Sequence, residues 1–88
     1  MVAKIEIYTS SFCGYCYRAK KLLEEKGAAY TEYDVLADSR LREEMVHRAG
    51  GGMTVPQIFI DGRHIGGCDE LYALEQTGGL DSILAGAA

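Results

Sequence analysis

The sequence predicts an α/β fold built on one mixed four-stranded sheet that is flanked by helices. Short segments alternate polar and apolar residues, longer ones repeat apolar residues every three or four positions, and glycines separate the two kinds. The predicted order is β-α-β-α-β-β-α. A crossover through a helix makes the first two strands parallel, whereas a hairpin makes the last two antiparallel, so the sheet is mixed.

The first strand and helix surround a pair of cysteines. Residues 4–8 alternate in polarity and predict a strand, and residues 9–12 form the loop after it. A helix is expected to begin at the cysteine pair, Cys13 and Cys16, and Gly27 is its predicted stop. Its apolar stripe consists of Ala19, Leu22 and Leu23.

The second strand and helix follow the same pattern. Residues 30–35 predict the strand, and Asp38 or Ser39 is the expected N-cap of the helix. The apolar residues of this helix are four positions apart: Leu41, Met45 and Ala49. The three glycines at 50–52 end it.

The last part of the chain predicts a hairpin and a helix. Residues 57–60 form a strand, Asp61-Gly62 is a hairpin turn, and residues 63–65 form the final strand. Asp69 is the expected N-cap of the third helix. Apolar residues at helical spacing follow in two groups: Leu71 and Leu74, then, after Gly78-Gly79, Leu80, Ile83 and Leu84 in a last turn or two.

Length and composition restrict the classes of protein. The 88 residues, 48% hydrophobic and 25% charged, predict a single ordered domain over residues 1–88. The net charge of −4 argues against nucleic acid as a partner, and no apolar run is long enough to span a membrane. Three cysteines without a signal-peptide pattern predict a reducing compartment, so we expect a cytoplasmic protein.

The cysteine pair is the strongest chemical feature of the sequence. Cys13 and Cys16 are three positions apart at a predicted helix start, within reach of a disulfide. Unpaired N–H groups and the positive end of the helix dipole favour the thiolate form of Cys13. Cys16 lies one turn further in and should be more covered. Cys13 is therefore the predicted nucleophile and Cys16 the predicted resolving thiol.

Other interpretations of these residues exist. A zinc site would need His64 and Cys68 as its second half, but their spacing is not that of the usual second ligand pair, so redox use is favoured. Cys68 alone is typical of a small buried apolar residue. Arg18, Lys20 and Lys21 form either a solvated helix face or a surface that attracts an anionic thiol substrate.

The only proline, in Thr54-Val55-Pro56, directly precedes a predicted strand. Proline has no N–H, so the backbone beside it is left out of the strand ladder. If the Val55–Pro56 bond is cis, Val55 presents its N–H and C=O outward, and an extended peptide can pair there as an added strand. A proline that merely begins a strand explains the segment equally well.

The third candidate segment is Gly66-Gly67-Cys68-Asp69, at the start of the last long helix. Two glycines allow a ligand to approach the backbone, and a helix start binds carboxylates through its free N–H groups. Asp69 can cap the helix and still receive an ammonium group. A glycine-rich turn with an aspartate cap explains the segment equally well.

Together these segments resemble a glutaredoxin, in particular the small dithiol glutaredoxins of bacteria. The resemblance covers nearly the whole chain and depends on residues 8–9, 18–20, 54–60 and 66–71 together with the cysteine motif. It implies a thioredoxin fold and a cis Val55–Pro56 bond. It also implies that the protein reduces disulfides and glutathione mixed disulfides, with glutathione as the reducing co-substrate.

The resemblance also implies roles for individual residues. Cys13 is the attacking thiolate and Cys16 resolves. Thr54 and Val55 hold the cysteinyl backbone of glutathione, while the γ-glutamyl end takes the Cys68 N–H and the Asp69 side chain. The implied glutathione-binding residues are Tyr15, Thr54, Val55, Pro56, Gly67, Cys68 and Asp69. The implied partners are glutathione and disulfide-containing or glutathionylated proteins, and a monomer is expected.

Two basic residues common in the family are missing. A lysine often stands at the position of Ser10, and a basic residue often stands shortly before Thr-Val-Pro, where Gly52 and Met53 stand here. We therefore predict weaker glutathione binding than in members that have both. Arg48 or Lys20 are the residues that could compensate.

Gly14 replaces the usual proline between the cysteines and introduces an alternative function. Some glutaredoxins with a small residue there hold a [2Fe-2S] cluster between two subunits. The ligands are the first cysteine, here Cys13, and one glutathione from each subunit. Apart from this cluster-bound dimer, no metal is expected.

Overall fold

The structure is a computed structural model and describes residues 3–85. Its elements follow the predicted order, and the last apolar group forms a separate short helix. They are β1 (Ile5–Thr9), α1 (Gly14–Glu25), β2 (Thr31–Asp34), α2 (Ser39–Arg48), β3 (Gln57–Ile60), β4 (Arg63–Gly66), α3 (Cys68–Thr77) and α4 (Gly79–Leu84). Within residues 3–85, no helix is both long and apolar enough to cross a membrane.

The predicted mixed sheet is confirmed, and its strand order is β2-β1-β3-β4. β1 and β2 are parallel, and β3 and β4 are antiparallel with a register shift between Ile58 and Phe59. The predicted bounds of β1, β2 and β4 each differ from the observed ones by one residue at one or both ends. Thr9, expected in the loop, is the last residue of β1 because its backbone pairs with β2: it lies opposite Asp34, and its C=O accepts from Val35 N at 2.9 Å.

The antiparallel pairing of β1 with β3 positions the site. Tyr8, near the end of β1, lies opposite Gln57, the first residue of β3. The loop after β1 leads to the cysteine pair, and the segment before β3 contains Pro56. Two segments far apart in the chain therefore meet at the same end of the two central strands.

Side chains alternate between two apolar clusters, one on each face of the sheet. Ile5 and Ile7 pack with Leu23 of α1 and with α3, whereas Tyr8 packs with Met45 of α2. Each buried leucine or isoleucine contributes roughly 1.5–3 kcal/mol. Helices cover both faces, which explains why β1 is buried along its whole length.

The ends of α1 and α2 confirm the predicted signals. Gly27 and Gly50 both have left-handed backbone, with φ of 68° and 64°, which glycine adopts without steric penalty. The hydrogen bonds of the Schellman motif close each end: Ala28 N to Leu23 O at 3.0 Å, and Gly51 N to Val46 O at 2.9 Å. Asp38 caps α2 by accepting the Arg40 N–H at 2.9 Å.

Candidate active site

Cys13 is the N-cap residue of α1 and is partly exposed. Its backbone is extended (φ −108°, ψ 108°), and its Sγ accepts a hydrogen bond from Cys16 N at 3.2 Å. The sulfur thus occupies the position that a side-chain oxygen takes in an ordinary cap. Negative charge on this sulfur faces the unpaired N–H groups and the positive end of the helix dipole.

Cys16 has a different environment, although it is only one turn away. Its side chain is buried, with 2% exposure. Burial raises the pKa of the Cys16 thiol, and the neighbouring Cys13 raises it further, while Lys20 acts in the opposite direction. Cys13 is therefore the more accessible of the two thiols, in the order that the sequence predicts.

Exposed aromatic and apolar side chains lie beside the reactive segments. Phe12, directly before Cys13, is fully exposed and has a φ of 62°, which is uncommon for a residue with a side chain. Tyr15 and Met53 are also exposed, at 60% and 64%. These side chains leave apolar surface exposed at positions close in sequence to Cys13 and Thr54.

The segment Thr54-Val55-Pro56 lies against Cys13. The Val55–Pro56 peptide bond is cis, as the resemblance implied. Val55 O lies 3.7 Å from Cys13 Sγ, within reach of a thiol S–H. Within residues 3–85, the Val55 N–H has no backbone hydrogen-bond partner. The segment therefore offers an unpaired backbone donor next to the sulfur.

The start of α3 corrects one prediction: its N-cap is Gly67 and not Asp69. The Gly67 N–H donates to Glu70 Oε1 at 2.6 Å, so Glu70 supplies the side-chain bond that a glycine cap cannot make. Gly66 has a φ of 118°, and a Cβ there would lie 2.8 Å from Glu70 Oε1, so glycine is required. Asp69 lies in the first helical turn and is exposed, with its carboxylate near the positive end of the dipole.

These three segments enclose a cleft of about 150 Å³, called here the thiol cleft. The lining includes every residue that the resemblance implied for glutathione, together with Glu70: Tyr15, Thr54, Val55, Pro56, Gly67, Cys68, Asp69 and Glu70. Glu70 was not among the residues predicted from the sequence. The available signal was a glutamate three positions after the glycine that precedes a helix, which is half of a capping box.

The basic residues expected to compensate for the missing ones are used elsewhere. Arg48 Nη2 bonds to Glu6 Oε1 at 3.0 Å, and Lys20 Nζ bonds to Glu32 Oε2 at 2.9 Å. Neither lines the thiol cleft. Both basic side chains are therefore paired with carboxylates of β1 and β2.

The zinc alternative lacks a set of ligands. In the part of the chain that the structure describes, no group of three or more His, Cys, Asp or Glu side chains is placed to hold one metal ion. His64, the proposed partner ligand, instead contacts Gln57 Oε1 through Nε2 at 2.6 Å. The described residues therefore do not bring His64 and Cys68 together with the cysteine pair as a ligand set.

Known proteins are similar to this chain in sequence and in fold. The family model described as Glutaredoxin matches residues 5–65. Glutaredoxin 3 of Escherichia coli strain K12 is 54% identical over 83 residues, which make up 94% of this chain and 99% of that protein. This chain belongs to the glutaredoxin family. It is accordingly a thiol–disulfide oxidoreductase.

Solved glutaredoxin structures confirm the thioredoxin fold. The solution structure of the Brucella melitensis glutaredoxin has a TM-score of 0.81 and 53% identity, and the match covers 94% of this chain and 89% of that one. The crystal structure of the buckwheat glutaredoxin–glutathione complex has a TM-score of 0.86 and 31% identity, with coverage of 94% and 77%. One of the glutaredoxins that this chain resembles thus binds glutathione.

Proposed function

We propose that this glutaredoxin uses glutathione to reduce both glutathione mixed disulfides and protein disulfides. Cys13 is the nucleophile, and Cys16 is the resolving thiol. The observation that carries the proposal is the Cys13 sulfur, which is partly exposed and caps α1 beside the thiol cleft. The glutathione complex of the similar buckwheat protein supports glutathione as the ligand.

Reduction of a mixed disulfide needs only Cys13. Its thiolate attacks the glutathione sulfur, forms a Cys13–glutathione disulfide and releases the substrate as a thiolate, which takes up a proton. The thiolate of a second glutathione then attacks the glutathionyl sulfur. Oxidised glutathione leaves, and the Cys13 thiolate is restored.

Reduction of a protein disulfide needs both cysteines. Cys13 forms a mixed disulfide with the substrate, and the Cys16 thiolate then attacks the Cys13 sulfur and releases the reduced protein. Cys13 is one cause of the raised pKa of Cys16. Because a disulfide sulfur carries no negative charge, the first step removes part of the barrier to ionising Cys16. Two molecules of glutathione reduce the resulting Cys13–Cys16 disulfide.

The thiol cleft offers complementary groups to a tripeptide. The unpaired Val55 N–H suits pairing with the cysteinyl backbone of glutathione as an added strand. Because the Gly67 N–H already bonds to Glu70, the γ-glutamyl carboxylate is left with the N–H groups of Cys68 and Asp69. The Asp69 carboxylate then receives the ammonium group.

The glycyl end of glutathione has no cationic partner in this cleft, since no lysine or arginine is among the lining residues. We therefore expect weaker glutathione binding than in family members that have both basic residues. A dissociation constant equal to theirs, measured by calorimetry, would contradict this part of the proposal.

Protein substrates are expected to contact the exposed side chains beside Cys13. Phe12, Tyr15 and Met53 offer apolar surface to disulfide-containing or glutathionylated proteins. The protein acts as a monomer in this reaction. A cytoplasmic location suits the chemistry, because glutathione there is kept reduced.

The test is a glutathione-coupled assay of the wild type, Cys13→Ser and Cys16→Ser on two substrates, a glutathionylated peptide and a protein disulfide. Cys16→Ser should retain activity on the glutathionylated peptide and lose it on the protein disulfide. Cys13→Ser should lose both activities. Full activity of Cys13→Ser on the glutathionylated peptide would overturn the assignment of the nucleophile.

The cluster-bound dimer is the second candidate, and the accessible Cys13 thiol is the observation in its favour. Cys16 is buried, so each chain offers one cysteine ligand, which fits a [2Fe-2S] cluster shared by two copies and two glutathiones. Anaerobic reconstitution with iron, sulfide and glutathione tests it. A coloured dimer would support the cluster, and a colourless monomer would exclude it.

A further inference from the structure

A buried amide connects the thiol cleft to the edge of the sheet. Gln57, the first residue of β3, is 6% exposed and lies outside the cleft lining. Its Nε2 donates to Thr54 O at 3.0 Å, and its Oε1 lies 2.6 Å from His64 Nε2 on β4. The His64 ring stacks on buried Phe59, with ring centroids 5.0 Å apart.

The chemistry of these groups determines which group donates and which accepts in both hydrogen bonds of the Gln57 amide. A carbonyl oxygen only accepts, so the amino group of Gln57 must face Thr54 O and its oxygen must face His64. His64 Nε2 must then carry the hydrogen, whether the ring is neutral or charged. Stacking on Phe59 holds the ring in place, and the Gln57 amide is held from both ends.

The absence of a side chain at Gly52 leaves space for the Gln57 amide. A Cβ at Gly52 would lie 3.1 Å from Gln57 Nε2 and 3.2 Å from Ala49 Cβ. Both distances are shorter than ordinary van der Waals contacts. A side chain at position 52 would therefore press on the amide that holds Thr54.

The bond to Thr54 O determines where Val55 N–H points. Thr54 C=O and Val55 N–H belong to one planar peptide unit, and the only cis bond in residues 3–85 is Val55–Pro56. In a trans unit the C=O and N–H point in opposite directions. Gln57 holds the oxygen on its own side, and so it directs the unpaired N–H of Val55, a cleft residue, away from itself.

We propose that Gln57 and His64 are positioning residues that orient the Thr54–Val55 peptide for the backbone of glutathione. They set the affinity for the tripeptide and leave the reactivity of Cys13 unchanged. The proposal rests on the proposed function, because it takes glutathione as the ligand of the thiol cleft.

The experiment measures affinity and sulfur reactivity separately. Calorimetry with S-methylglutathione, a thioether that cannot exchange, reports binding in the thiol cleft. The rate of alkylation by iodoacetamide, which is too small to need the cleft, reports the reactivity of Cys13. The variants are Gln57→Leu, Gln57→Glu and His64→Phe, and Arg63→Lys is the matched control on β4.

Gln57→Leu should weaken S-methylglutathione binding roughly tenfold, the effect of losing one oriented hydrogen bond. His64→Phe retains the stacking on Phe59 and loses the donor, so it should weaken binding about threefold. Iodoacetamide should react with Cys13 at the wild-type rate in all variants. Arg63→Lys should bind as the wild type does.

Gln57→Glu adds a readout that a purely structural role would not show. Its carboxylate still accepts from His64 but has no donor for Thr54 O, so binding at neutral pH should fall at least as far as in Gln57→Leu. Gln57→Glu matches glutamine in length and keeps the contact with His64, so its loss of binding reports the missing donor and not a loss of packing.

The outcomes separate this inference from the proposed function. No binding of S-methylglutathione to the wild type would overturn both. Wild-type binding together with unchanged affinity in Gln57→Leu and His64→Phe would overturn the positioning role alone. Slower alkylation of Cys13 in the same variants would also overturn it, because the effect would then be a general loss of structure. If Gln57→Leu does not fold, His64→Phe, at an exposed edge position, decides the result.

Discussion

Two polar regions of this glutaredoxin differ in how far their polar groups are hydrogen-bonded within the protein. The first is the thiol cleft. The second, called here the Arg48 cluster, lies where α2 packs on the sheet and consists of Glu6, Tyr8, Tyr33, Glu44 and Arg48. Arg48 bonds to Glu6 at 3.0 Å and to Tyr8 Oη at 2.9 Å, Tyr33 Oη donates to Glu6 at 2.9 Å, and Tyr8 Oη donates to Glu44.

The difference shows how stability and chemistry are divided in a small domain. Glu6 is 7% exposed, and a buried charge is tolerated only when partners satisfy it, which the Arg48 cluster provides. In the thiol cleft, the Val55 N–H has no backbone partner among residues 3–85, and the Asp69 side chain is exposed. The cluster should therefore determine folding stability with little influence on Cys13, and the cleft should do the reverse.

The largest expected effect is on stability, from Arg48→Met. Removing the guanidinium leaves Glu6 buried without its ionic partner, and we expect a loss of about 3 kcal/mol in the free energy of unfolding. Urea denaturation measures this loss, and iodoacetamide should alkylate Cys13 at the wild-type rate. The double variant Glu6→Gln/Arg48→Met is the control and should recover part of the stability. Slower alkylation of Cys13 in Arg48→Met would show that the two regions are coupled.

The second prediction concerns the difference in alkylation rate among the three cysteines. At pH about 7, iodoacetamide should modify Cys13 at least about thirtyfold faster than Cys16 or Cys68. The reason is that burial shields the latter two and raises the pKa of both. Peptide mass spectrometry over time measures the three rates, and unfolded protein serves as the control in which they should converge. Equal rates in the folded protein would contradict the exposure difference.

The third prediction is a pH dependence of stability that comes from the Arg48 cluster. The hydrogen bond from Arg48 lowers the pKa of Glu6 below its ordinary value of 4.5, against the opposing effect of burial. This stabilisation is present above pH 4.5 and is lost as pH falls through the lowered folded pKa. Wild type should exceed Glu6→Gln by about 1.5 kcal/mol at pH 7, and the gap should close in acid. A gap that is constant with pH in urea titrations would contradict it.

The smallest effect is expected from an exposed counterpart of the buried ion pair. Arg40 Nη2 contacts Asp38 Oδ2 at 3.0 Å at the start of α2, and the Arg40 side chain is 87% exposed. Water screens this pair, so Arg40→Met should lower the melting temperature by only about 2 °C, with glutathione-coupled activity unchanged. A loss as large as that of Arg48→Met would show that exposure does not explain the contrast.

Local pattern was sufficient for most secondary structure and for part of the site. Gly27, Gly50 and Asp38 mark helix ends through bonds to residues a few positions away, so these ends could be predicted. The same local reasoning failed at Asp69, because a capping aspartate and a first-turn aspartate look alike in sequence. Only the hydrogen bond from the Gly67 N–H to the Glu70 carboxylate identifies Gly67 as the N-cap.

By itself, the sequence determined the order of elements, the parallel and antiparallel connections and the cysteine pair at a helix start. These features depend on residues close together in the chain. Tertiary structure alone decided the β1–β3 pairing, the use of Arg48 and the Gln57–Thr54–Val55 arrangement. Cys13 meets Val55 and Arg48 meets Glu6 across 42 positions, and no local periodicity specifies such contacts. The packing of the whole chain selects them, because it must satisfy each buried polar group at once.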